Sequence, residues 1–328
     1  MTNKVVAFGE ILLRLTPQYG RCLEDTPSFD CCYGGTEANV LISLSALGNQ
    51  TSYITVLPDN SLGYAAEKHL HRYEVDTKHI LRKGSILGSY FLEPGFGKMQ
   101  SKVIYNRKNS EIASIEDAPE LFDIDEILSE CSLFHISGIS FALSESCRNL
   151  CFRFLEKAKE LNIPISFDFN YRKSLWKESD AKEIYRRILP YVDMLFCSSL
   201  DLRVFLDTTP EEFFSGYHCA YLIRREREIL SNARHRVYAE ILHHTDHGTQ
   251  HCACSPFEIE VKERIGTGDA FSAGVLHSLM KKPEDIEGAL SFGMACFELK
   301  HYIPGDVMAI TEKEICDFIE NQNKDVGR

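Results

Sequence analysis

The sequence predicts a three-layer α/β protein. A central, mostly parallel sheet lies between two layers of helices, and a second, smaller β-sheet is attached. Three observations predict it. Short apolar runs of strand length alternate with runs of helical period along most of the chain. Two stretches, 12–33 and 86–108, break that alternation with strand-like, aromatic-bearing runs separated by turns rather than helices. The length, 328 residues with 44% apolar and 26% charged side chains, is ample for one sizeable core.

In chain order, Val5-Val6-Ala7-Phe8 is a buried-strand run that stops at Gly9. Ala38 to Leu47 repeats apolar residues at helical spacing and ends at Gly48, a natural helix stop. Ser52 to Leu57 reads as a strand and Ala65 to Tyr73 as a helix. A strand at Ser132–Ile136 precedes a helix from 144 to 161. Pro164–Asp168 is the next strand, followed by a helix at 181–189 and a strand at Met194–Cys197. Strands that alternate with helices build a parallel sheet covered on both faces. Ligands of such sheets bind at the C-terminal ends of the strands, where Gly9, Gly138 and Asp168 to Asn170 fall. In the interrupting stretches, Tyr90-Phe91-Leu92 and Val103-Ile104-Tyr105 flank a turn at Pro94-Gly95-Phe96-Gly97. An antiparallel piece is expected there.

Composition excludes several classes of function. The net charge is −12 and no basic stripe occurs, so nucleic acid and anionic membranes are poor partners. Glu10 and Arg14 interrupt the first apolar run, which excludes a signal peptide or membrane span there, and no run of about 20 apolar residues occurs elsewhere. Twelve cysteines are scattered among apolar segments, a pattern of reduced thiols in a cytosol. The cluster His243, His244, His247, His251, Cys252 and Cys254 fits no standard zinc spacing. It surrounds a polar run, Thr245-Asp246-His247-Gly248-Thr249, of hairpin-turn character.

The most informative run is Gly266-Thr267-Gly268-Asp269-Ala270-Phe271-Ser272-Ala273-Gly274. Gly266 and Gly268 let successive N–H groups point one way, and the helix that follows adds its N-terminal charge. Asp269, beside that nest, can take a proton from a hydroxyl while the amides hold a migrating phosphoryl group. The competing reading is a glycine turn with Asp269 as an ordinary helix cap. The length of the run and its continuation into a small-residue helix favour phosphoryl transfer.

This run resembles the C-terminal signature of the ribokinase-like (PfkB) carbohydrate kinases. A second signature of that family is present at Gly34-Gly35-Thr36-Glu37-Ala38-Asn39-Val40. Leu299-Lys300-His301-Tyr302-Ile303-Pro304-Gly305-Asp306 is similar to a segment of its 2-keto-3-deoxygluconate kinases. The resemblance implies a single ribokinase-like α/β/α domain over 1–328, with 12–33 and 86–108 forming a lid that covers the sugar and joins subunits of a homo-oligomer. It implies ATP and Mg²⁺, with a monovalent cation as a further candidate. It makes Asp269 the base and Gly266, Thr267 and Gly268 the anion hole. Gly34, Gly35, Asn39, Tyr90, Tyr105, Arg107, Arg172 and Asp306 become the sugar contacts. Asn170, Arg172, Ser198, Arg224, Gly266 and Gly268 become the ATP contacts. A sugar acid needs a cation, and guanidinium groups pair carboxylates in bidentate fashion, which singles out Arg107 and Arg172.

The nucleotide end departs from the family pattern. Ser198-Ser199-Leu200-Asp201 stands where the family carries Asn-x-x-Glu, leaving Asp201 as the carboxylate for a metal through water. The expected glycine turn near ATP is replaced by Arg224-Arg225-Glu226-Arg227-Glu228. The leading expectation is an ATP-dependent 2-keto-3-deoxygluconate kinase. A kinase of fructose or of 5-keto-2-deoxygluconate, and a non-catalytic sugar-acid-binding regulator, are the alternatives.

Overall fold

The computed structural model describes residues 3–18, 20–95 and 99–321. Phe96 and Gly97 of the expected turn lie outside them. Among the described residues a nine-stranded sheet forms the centre. Its order is Gly248–Ala253, Arg234–Thr245, Tyr221–Ser231, Met194–Cys197, Ile165–Asp168, Leu133–Ser137, Lys4–Phe8 and Gln50–Ile54, with Phe257–Glu260 paired to Arg234–Thr245 off that path. From Tyr221–Ser231 to Gln50–Ile54 every pairing is parallel. Beyond Tyr221–Ser231 the pairings are antiparallel.

Helices cover both faces because alternate strand residues point to opposite sides. Val6 and Phe8 enter a cluster with Phe134, Phe154 and Phe167. Their neighbours Val5 and Ala7 enter another with Leu41, Tyr53 and Leu276. Phe154, on helix Glu145–Glu160, stacks on Phe8 and Phe134 with ring centroids 5.5 and 5.4 Å away. Each fully buried phenylalanine contributes about 1.5–3 kcal/mol from burial. The expected strand over 52–57 divides into Gln50–Ile54 and Val56–Leu57, the second pairing with Leu81–Arg82. No helix among the described residues is long and apolar enough to cross a membrane.

The interrupting stretches supply a four-stranded sheet in the order Phe29–Gly34, Leu12–Pro17, Ser89–Glu93, Lys102–Asn106. Its outer pairs are antiparallel, but its central pair, Leu12–Pro17 with Ser89–Glu93, is parallel. The expectation of a wholly antiparallel piece is corrected at that pair. Between those strands the chain passes through helix Thr36–Ala46, strand Gln50–Ile54 and helix Ser61–Arg72, and it returns in the same direction. Local pattern reveals each hairpin but not the long connection between them.

The second correction concerns 224–228. No loop stands there. These residues are the middle of strand Tyr221–Ser231, which pairs with Arg234–Thr245 over nearly its whole length. The polar run at 245–249 turns this second strand into Gly248–Ala253.

Candidate active site

The run at 266–269 opens helix Thr267–Lys281. Gly266 adopts φ 76°, the left-handed region, and a Cβ there would sit 1.8 Å from the Asp306 carbonyl oxygen. Only glycine satisfies both demands. The Ala270 N–H donates to the Gly266 carbonyl at 2.9 Å, so the N–H groups of Thr267, Gly268 and Asp269 precede the first helical bond and can serve an anion.

Asp269 is buried, and Asn39 Nδ2 donates to its Oδ2 at 2.7 Å. Burial pushes the Asp269 carboxyl up to about 7, with Asp168 and Glu37 adding to the rise and Asn39 and Arg172 opposing it. A base of near-neutral pKa suits proton transfer at physiological pH. Asn39 was assigned to sugar hydroxyls from sequence. Its carboxamide oxygen accepts from Gly35 N–H at 3.3 Å and its amide holds Asp269, while the residue also lines the cavity. Asn39 thereby fixes the orientation of the carboxylate.

At one end of the cavity stands Asp306. Its Oδ2 accepts from the Tyr90 hydroxyl at 2.7 Å and its Oδ1 pairs with Arg14 at 2.7 Å. Gly34 makes room for it, because a Cβ at 34 would meet Asp306 Oδ2 at 2.1 Å. Tyr90 and Tyr105, on facing strands of the smaller sheet, have ring centroids 5.6 Å apart. Tyr105 is 42% exposed, whereas Tyr90 is buried. Arg107 is buried and paired with Glu10, which also accepts from Ser110 at 2.5 Å. Arg107 Nε remains buried with no hydrogen-bond partner among the described residues. Glu10 and Arg14 belong to this end and were missed as site residues. Their positions inside the first apolar run were the available signal.

Also in the cavity wall, Asn170 has φ 39° and donates from Nδ2 to Thr36 at 3.0 Å. Arg172 is exposed, and among the described residues its guanidinium donates to the Tyr171 carbonyl at 3.1 Å. Ser198 and Asp201 form a reciprocal cap on helix Ser199–Leu206, with Asp201 Oδ2 accepting from Ser198 N–H at 2.8 Å and Ser198 Oγ at 2.7 Å. One Asp201 oxygen is therefore committed to the cap. Asp168, also in the cavity wall, is pushed by burial up to about 6, with Arg225 and Arg172 opposing. It is a second carboxylate suited to a cation.

Arg224 is not part of this constellation. Its guanidinium pairs with Glu240 at 2.5 Å and contacts Ser199. The neighbours Arg225 and Arg227, on the other face of the strand, line the cavity with Arg172 and Arg264. An Arg225 nitrogen lies 2.9 Å from the position a Cβ on Gly268 would take. Burial and the charges of Arg225, Arg264 and Arg172 press Arg227 down to about 10. Four guanidinium groups around one opening form an anion-binding surface.

A single cavity of about 720 Å³ is lined by every sequence-assigned site residue except Arg224. The histidine cluster at 243–251 lies elsewhere. His243 stacks on Tyr221 at 4.2 Å, His244 on Phe214 at 4.9 Å, and His251 meets Glu240 at 3.1 Å.

A parallel-sheet scaffold that sets a buried, near-neutral carboxylate beside a helix N-terminus and an arginine cluster defines a phosphoryl-transfer class of protein. Residues 2–215 match the family described as pfkB family carbohydrate kinase. The 2-dehydro-3-deoxygalactonokinase of Haloferax volcanii is 30% identical over 323 residues, covering 96% of each chain. The crystal structure of 2-dehydro-3-deoxygluconokinase from Thermotoga maritima matches with TM-score 0.89 and 32% identity, over 97% of this chain and 99% of that one. A PfkB family carbohydrate kinase from Listeria grayi matches with TM-score 0.90 and 33% identity over the same shares. The chain belongs to the pfkB family of carbohydrate kinases.

Proposed function

We propose that this protein is an ATP-dependent sugar-acid kinase that phosphorylates the terminal hydroxyl of 2-keto-3-deoxygluconate, giving 2-keto-3-deoxy-6-phosphogluconate. The observation that carries the reading is Asp269, buried, held by Asn39 and raised to about 7 beside the Gly266–Gly268 amides. The hydroxyl oxygen attacks the γ-phosphorus, ADP leaves, and the hydroxyl proton passes to Asp269. The amides of Thr267 and Gly268 and the guanidinium of Arg225 take up charge on the transferring group. Mg²⁺, when bound, neutralises phosphate charge. The carboxylates of Asp168 and Asp201 fit that cation, since both are raised by burial with no ammonium or guanidinium in ion-pair contact among the described residues.

The sugar belongs between Asn39 and the tyrosines of the smaller sheet, which acts as a lid excluding water. Arg107, in the cavity wall with its guanidinium carbon 5.6 Å from the Tyr105 ring centroid, offers the cation that an acid substrate needs. The names of the relatives from Haloferax volcanii and Thermotoga maritima point to the same class of sugar acid. With Mg²⁺ and ATP, kcat/KM for 2-keto-3-deoxygluconate should exceed that for fructose or ribose by about 10²-fold or more, because a site built for a polar group rejects analogues lacking it. Comparable rates on fructose would remove the sugar-acid assignment. The galacto epimer, assayed beside it, measures the stereochemical preference.

The outer strand Lys102–Asn106 leaves Val103, Ile104 and Tyr105 exposed at 38%, 56% and 42%. An apolar, unpaired sheet edge favours association with a second copy of the chain. We therefore expect a homo-oligomer joined through the lid. Sedimentation equilibrium should show it, and a strict monomer at assay concentration rules it out.

A further inference from the structure

We propose that Lys300 is a built-in monovalent cation that positions the anion-holding turn, so that catalysis requires no free alkali ion. The inference rests on the kinase reading above. Lys300 ends helix Ile286–Lys300 and is fully buried, at 0% exposure. Its Nζ donates to the carbonyl oxygens of Ile303 and of Gly305, both at 2.9 Å. Convergent backbone carbonyls are the ligands a bare alkali cation takes. Here an ammonium fills that place.

What it holds is the floor of the site. The Lys300 Cε lies 3.4 Å from where a Cβ on Gly266 would stand, against the turn itself. Gly305, whose carbonyl it binds, precedes Asp306, and the Asp306 carbonyl is the atom packed against Gly266. The same loop is tied to the segment between strand Phe257–Glu260 and the turn, for the His301 carbonyl accepts from Lys262 N–H at 3.2 Å and Glu263 N–H at 2.9 Å. The charged groups facing the ammonium are Glu263, Asp306 and Asp269, with Arg14 opposing them. Burial lowers Lys300 to about 8, and those three carboxylates limit the fall. The ammonium is charged at neutral pH and adds to the positive field at the phosphoryl position.

The test uses the full-length enzyme and whichever acceptor sugar it turns over. Wild-type kcat should be equal in potassium, sodium and choline chloride at matched ionic strength, within about twofold. Lys300→Met should lose about 10²-fold in kcat with sugar KM little changed, and ammonium or potassium should restore about tenfold or more of that loss. Lys300→Arg should retain more activity than Lys300→Met, which distinguishes a charge requirement from simple packing. Strong activation of the wild type by potassium over choline overturns the proposal without any variant, even if Lys300→Met does not fold. A Lys300→Met enzyme with wild-type kcat overturns it as well. Failure of the substrate assignment would read differently, as no turnover of the sugar acid in any salt.

Discussion

Asp269→Asn is expected to lower kcat by about 10²–10⁴-fold, the usual cost of losing a general base, with sugar affinity little changed. Asparagine keeps the shape and can still accept from Asn39 Nδ2, so the site stays assembled while the proton acceptor is gone. Wild-type kcat/KM should rise with pH through about 7 as the carboxyl ionises, and the variant should lack that limb. Stability moves in the opposite sense. The folded carboxyl is raised from 3.8 to about 7, so its contribution to stability is complete below 3.8 and is lost as pH rises through 7. Asp269→Asn carries no such loss and should therefore gain Tm over the wild type above pH 7. A variant retaining more than about a tenth of wild-type kcat, where chemistry limits, shows that Asp269 is not the base.

Replacing Arg225 with Gln should cost about 10²–10³-fold in kcat, the scale for removing one preorganised donor to a developing anion. The guanidinium carbon lies 5.9 Å from the Phe271 ring centroid and 4.8 Å from that of Phe297. Burial lowers its pKa, and Asp168 and Asp269 only partly offset that effect. Among the described residues no carboxylate stands in ion-pair contact with it. A desolvated charge without a partner is costly, and a phosphoryl group at the Gly268 amide supplies the partner. ATP KM should rise, sugar KM should hold, and the ligand-free variant should melt no lower than the wild type. Near-normal kcat in single-turnover assays would place Arg225 outside the reaction.

Much of the site was legible because its chemistry is local in sequence. Gly266 to Asp269 opens one helix, and Gly34 to Asn39 opens another, so motif and geometry coincide there. What escaped was produced by long-range pairing. Glu10 pairs with Arg107 although the two stand far apart in the sequence, and nothing near either residue signals the other. Asp306 lines the cavity, and its ties to Arg14, Cys32 and Tyr90 join segments far apart in the sequence. The parallel central pair of the smaller sheet depended on a connection that local alternation does not encode.

The adjacent arginines at 224 and 225 are chemically identical, and only the pleat tells them apart. Parity along strand Tyr221–Ser231 makes one a strut and sets the other in the cavity wall. The Arg224–Glu240 pair joins directly opposed residues of the two strands, so it works as a frame marker for the whole hairpin. A slip by one position would turn Arg225 toward Glu240, carry Arg224 into the opening and drag the apolar Ile223 from its cluster. This wall of the cavity is thus written in a reading frame of period two, and a buried ion pair outside the cavity lining keeps that frame in phase.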